Sequence, residues 1–145
     1  MVHALEIIRE MLKRGGRLVD IHPSGDPPPV ELLHGNSRTR LGYVGETDNF
    51  IEYAQADAAV AQAVSNGWFS IEHQAIFTFQ TYANSVAELW EFLSRTWSDA
   101  ILPDEAAARE KEALPNQGVM LTEKVKINLL ARQDQARKHV HKVNW

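Results

Sequence analysis

Apolar residues recur at Leu5, Ile8 and Leu12, with Ala4, Ile7 and Met11 beside them. That three-to-four-residue spacing predicts a helix over residues 1–12. Lys13 and Arg14 fall in its last turn, where cations favour the negative end of the helix dipole, and Gly15-Gly16 supplies a left-handed stop. A short β-branched run follows from Arg17 to His22 and ends at Pro23, predicting a buried strand. Residues 68–82 alternate: Phe69, Ile71, Ala75, Phe77 and Phe79 share one parity, and Ser70, Glu72, Gln74, Thr78 and Gln80 share the other. This is a strand with one wetter face. Val119, Leu121, Val125, Ile127 and Leu129 alternate in the same way with Thr122, Lys124, Lys126 and Asn128, and predict a final strand over 119–131.

Between these runs lie helices and turns. Thr47 or Asp48 is expected to cap a helix that turns Phe50, Ile51, Ala54, Ala58, Ala61 and Val64 inward and stops at Asn66-Gly67. Ser85-Val86-Ala87-Glu88 reads as a capping box that opens a helix carrying Leu89, Trp90, Phe92, Leu93 and Trp97. Pro103-Asp104-Glu105 opens another, reaching towards Leu114-Pro115. Residues 24–46 are turn-rich. Pro27, Pro28 and Pro29 favour extended backbone, and the runs 30–34 and 39–44 flank Gly35-Asn36-Ser37-Arg38 as a short hairpin, too polar for the core and expected to pass over one end of the sheet.

Composition narrows the class. At 145 residues the chain suits one domain, and 44% hydrophobic with 23% charged residues is the balance of an ordinary globular protein. A net charge of −4 argues against nucleic-acid binding, although Lys124, Lys126, Arg132, Arg137, Lys138 and Lys142 make the C-terminus locally basic. The absence of cysteine removes disulfide scaffolds, Cys-based zinc sites and thiol catalysis. No apolar run approaches the roughly 20 residues of a membrane span, and Glu6, Arg9 and Glu10 interrupt the first apolar stretch, which is therefore not a signal peptide. A cytoplasmic domain without membrane or nucleic-acid partners is expected.

The run Leu5-Glu-Ile-Ile-Arg-Glu-Met-Leu-Lys-Arg-Gly-Gly-Arg-Leu-Val-Asp-Ile21 resembles the late segment of class I S-adenosylmethionine-dependent methyltransferases, in which a helix ending in Gly-Gly leads into the fifth strand. Arg14 stands where that family usually has proline. The resemblance extends over about residues 4–132, with 68–82 as the sixth strand and 119–131 as the seventh, running antiparallel between the other two. It implies an α/β fold with a three-layer, partial Rossmann-like sheet. Residues 1–132 would form a methyltransferase-like C-terminal half-domain, with cap insertions at 24–46 and 83–117 and a polar tail at 133–145. The family's glycine-rich cofactor turn and its ribose-binding acidic residue have no counterpart in the sequence. The resemblance therefore implies a substrate-capping half that neither binds S-adenosylmethionine nor catalyses alone, and that meets the cofactor only when completed by an N-terminal half. The strand from Arg17 to His22 would then expose an open edge, covered by a homodimeric copy, by the complementing half, or by the N-terminal helix or tail.

Candidate chemistry is sparse. Asp20 and His22 share a parity near a strand end and form a candidate acid–base pair. Their plain reading is a locally paired carboxylate and a strand-terminal histidine. His22, Tyr43, Asn49 and Tyr53 are candidate acceptor-binding residues, against ordinary packing. His73 interrupts an apolar face and reads as a hydrogen-bonded core histidine. His139 and His141 lack a carboxylate partner and make a poor metal site. Trp90 and Trp97 read as packing of the cap. Two other classes stay open: a stand-alone small-molecule-binding or protein-interaction domain built on the aromatic cap, and a hydrolase or isomerase using Asp20 and His22, for which no nucleophile elbow, phosphate loop or metal motif is present.

Overall fold

The computed structural model describes residues 2–109 and 117–134. In chain order the elements are α1 (Val2–Met11), β1 (Arg17–Pro23), β2 (Pro29–His34), β3 (Ser37–Tyr43), β4 (Gly45–Glu46), α2 (Ile51–Ser65), β5 (Phe69–Ala83), α3 (Val86–Thr96), β6 (Ala100–Ile101), α4 (Asp104–Ala108) and β7 (Gln117–Arg132). The fold is α/β with a mostly antiparallel, open sheet. Arg137, Lys138, His139, His141 and Lys142, and the expected helix end at Leu114-Pro115, lie outside the described residues.

The long strand β7 organises the sheet. Along one side it pairs with β5 from Phe69↔Arg132 to Ala83↔Val119. Its other side is shared. β1 takes the C-terminal half, from Arg17↔Ala131 to Pro23↔Val125, and β2 takes the N-terminal half, from Val30↔Leu121 to His34↔Gln117. All these pairings are antiparallel, so β1 and β5 run parallel to each other with β7 between them. Residues 122–124 of β7 face neither β1 nor β2. There the chain leaves β1, held by Ser24 N–H donating to the Lys124 carbonyl.

The hairpin at 29–43 corrects the expected excursion. β2 and β3 pair with each other, and β2 adds them to the main sheet through β7. Gly35 takes the left-handed backbone (φ 56°) that a tight hairpin turn requires. Val30, Leu32 and Leu41 are buried with Val119 and Leu121 of β7, Val44, Ala100, Ala106 and Val86, Leu89 and Leu93 of α3. Few residues of the hairpin are apolar, but Val30, Leu32 and Leu41 fall on the face that α3 covers.

The opposite face is covered at the other end of β7. Leu5 of α1 and Ala59, Val60 and Ala63 of α2 pack on Phe69 and Leu130, with Leu18 and Trp68 alongside. This rotates α2 away from the expected stripe: Ile51, Ala54, Ala58 and Ala61 are exposed. Alanine lies on nearly every side of this helix, so its stripe carries little directional information. The N-terminus of α2 is also corrected. It is capped by Phe50 in a left-handed conformation with no side-chain cap bond, while Asp48 accepts from the Phe50 N–H one turn earlier. Ser85 caps α3 as expected by accepting from Glu88 N–H, and the Glu88 carboxylate accepts from Asn84 N–H.

Two strands are more exposed than their sequences suggest. No residue of β1 is buried, and Val19 (56% exposed) and Ile21 (60%) lie open. In β5 the register shifts between Ile71 and His73. This β-bulge reverses which parity faces α2. Phe69 stays on the α2 side, whereas His73, Ala75, Phe77 and Phe79 turn to the opposite face, where His73 is exposed and not a core histidine. No helix among the described residues is long and apolar enough to cross a membrane.

Candidate functional site

The structure joins Asp20 and His22, and it adds partners from two other elements. His22 Nδ1 lies 3.0 Å from Asp20 Oδ2, and its Nε2 lies 3.0 Å from Asp57 Oδ1 of α2. Lys126 Nζ donates to Asp57 Oδ2 at 2.5 Å, Asn128 Nδ2 donates to Asp20 Oδ2 at 2.8 Å, and Gln74 Nε2 donates to Asn128 Oδ1 at 2.8 Å. The alternation of β1 and β7 turns Asp20, His22, Lys126 and Asn128 towards α2, and the rotation of α2 brings Asp57 to meet them. Burial pushes the Asp57 carboxyl up, but the hydrogen bonds and positive charge of Lys126 and His22 outweigh it and hold the group below its ordinary value. Both ring nitrogens of His22 face carboxylate oxygens, and the side chain is only 10% exposed. Neither nitrogen is left facing a substrate. The network ties α2 to the sheet and satisfies Asn128, a buried polar residue of the core.

The candidate acceptor residues separate. Tyr43 is the exposed last residue of β3, its hydroxyl accepting from Arg40 Nη1 at 2.7 Å while the Arg40 guanidinium lies 5.2 Å from its ring centre. Asn49 is an exposed turn residue with φ 56°. Tyr53 lines a cavity.

That cavity, about 300 Å³, opens where β7 has lost β1 and not yet met β2. Pro23, Gly25, Asp26 and Pro28 form one wall, Phe50 and Tyr53 a second, Phe92, Leu93, Thr96 and Trp97 a third, and Glu123 and Lys124 of β7 complete the lining. The aromatic walls are firmly held. Phe50 and Asn49 are consecutive non-glycine residues at positive φ, a strained turn that aims the Phe50 ring inward. The ring centres of Tyr53 and Trp97 lie 6.1 Å and 6.4 Å from that of Phe50. Glu46 Oε1 accepts from both Tyr53 Oη (3.1 Å) and Trp97 Nε1 (2.6 Å). Burial pushes the Glu46 carboxyl up against the pull of those two bonds, with Asp99 and Asp48 adding to the rise. Burial, and then the bond to Glu46, push the Tyr53 hydroxyl to about 12. Glu46, Asp48 and Asp99 bring their carboxylates within 4.8 Å of one another, but Glu46 is already engaged by the two aromatic donors.

At the mouth, Asp26 and Lys124 pair at 3.1 Å, which holds the Asp26 carboxyl below its ordinary value. Glu123 is different. Burial pushes its carboxyl up, and it makes no hydrogen bond or ion pair among the described residues. The sequence pattern pointed to neither Glu123 nor Asp57, and read Phe50 as an inward helix residue without a place in the site. The first left a signal: it is the charged residue in the otherwise apolar parity of Val119, Leu121, Val125, Ile127 and Leu129. Asp57 left none, because only the rotation of α2 recruits it. Comparison with protein-family models, curated proteins and solved structures finds no match to this chain.

Proposed function

We propose that this chain is the acceptor-facing half of a class I S-adenosylmethionine-dependent methyltransferase-like fold, inactive by itself. One observation carries the reading: β7 runs antiparallel between two mutually parallel strands, β1 and β5, the order expected of the family's fifth, seventh and sixth strands. The cavity supports it. It lies at the C-terminal end of β1, the end of parallel strands where α/β sheets bind ligands, and its lining comes from the turn after β1, the start of α2, the end of α3 and β7.

The described residues do not fit the cofactor. Gly15 and Gly67 end helices, Gly35 turns a hairpin, and Gly25 sits in the cavity wall. None forms a glycine-rich turn between a parallel strand and a helix. The cofactor would belong to a complementing N-terminal half. The edge of β1 left unpaired among the described residues, next to the exposed Val19 and Ile21, is where that half or a second copy would dock.

Titration calorimetry with S-adenosylmethionine tests the reading. No heat of binding is expected from this chain alone, and tight binding would overturn the proposal. Light scattering is expected to show self-association in the absence of a complementing half. The aromatic cavity also favours a second reading, a stand-alone small-molecule-binding domain. That reading gains if the protein is monomeric when dilute and still binds a small ligand.

A further inference from the structure

The cavity holds one charge that nothing in the described protein answers. Its walls are mainly ring and alkyl surface from Phe50, Tyr53, Phe92, Leu93 and Trp97, and the Asp26–Lys124 pair at the mouth is internally neutral. Glu123 lines it with no partner among the described residues. A half-buried carboxylate has given up part of its hydration, and a donor brought into the cavity restores part of that energy. A cationic donor restores most, because its hydrogen bond is charge-assisted and forms in a site partly shielded from water. The surrounding rings select for a flat apolar body, and aromatic faces add attraction for a cation. A volume of about 300 Å³ lies at the small end of ligand sites and suits a molecule with one ring.

We infer that this cavity binds a small aromatic amine in its protonated form, with the ammonium group on Glu123 and the ring among Phe50, Phe92 and Trp97. As the class of methyl acceptor, this rests on the functional reading above. As a binding site it does not, because the cofactor titration and the amine titration report separately.

The experiment uses the full chain and three probes of one shape: 2-phenylethylamine, 2-phenylethanol and phenylacetate. Binding is read by calorimetry and by the fluorescence of Trp97, with Trp97→Phe as the control that assigns the signal. The amine is expected to bind at least about tenfold more tightly than the alcohol, and phenylacetate more weakly still. Glu123→Gln is expected to remove the preference for the amine while leaving the affinity for the alcohol unchanged, which a misfolded variant would not do. Phe92→Ala is expected to weaken amine and alcohol together. The inference is overturned if the folded wild type does not bind the amine, if all three probes bind alike, or if Glu123→Gln keeps the amine preference.

Discussion

The two ends of β7 are finished differently. At its N-terminal end, Val119 and Leu121 lie buried with Val30 and Leu32 of β2 under Leu89 and Leu93 of α3, while Tyr82 on the other face stays 60% exposed. At its C-terminal end, α1 and α2 seal only the face that carries Leu18 and Leu130. The reverse face presents Val19, Ile21, Phe77 and Phe79, all between 43% and 60% exposed, beside the edge of β1 that no described strand pairs. Apolar sheet surface joined to an open edge is what a soluble protein normally covers. The contrast is between an end whose α3-side face is buried and one whose same face stands exposed, and it is independent of any family resemblance.

The end under α3 should give the largest effect. Leu89→Ala removes a fully buried side chain and is expected to cost about 2–5 kcal/mol in urea unfolding. Ile21→Ala at the open end should cost far less. Equal costs would erase the contrast.

The polar network behind the open end should respond to acid. The Asp57 carboxyl is held below its ordinary value in the folded state, so its contribution is complete above the unfolded value and is lost as pH falls through the lower, folded one. Because the side chain is 41% exposed, solvent screening limits this to below about 1 kcal/mol. Asp57→Asn should flatten that part of an acid-unfolding curve.

Phe79→Ser on the open face should barely change stability while reducing self-association in sedimentation. Unchanged association would move the contact elsewhere. The smallest effect belongs to Arg17 of β1 and Glu72 of β5, an exposed pair bonded at 2.6 Å. Arg17→Ala is expected to leave the thermal midpoint unchanged within error.

Some of this was legible from residues alone. The alternation along 119–131 placed β7, Ser85-Val86-Ala87-Glu88 placed the start of α3, and Gly15-Gly16 placed the turn into β1. The pairing of Asp20 with His22 was legible from parity, because two residues apart on a strand share a face. Their carboxylate partner Asp57 was not, nor was the role of Phe50, whose left-handed backbone departs from any side-chain cap preference. Tyr43 and Tyr53 look equivalent in sequence, yet one lies outside on Arg40 and the other lines the cavity.

The sequence by itself determined which runs become the long strands and the capped helix α3, because caps, turns and periodicity are written in neighbouring residues, though it misplaced the start of α2. Only the tertiary structure decided which faces those elements show each other. A single bulge after Ile71 reverses a strand's two faces, an alanine-rich helix such as α2 is turned by its partners and not by its own stripe, and a mostly polar hairpin enters the sheet because three of its side chains reach the core. Each of these depends on contacts between residues far apart in the chain, which no local pattern records.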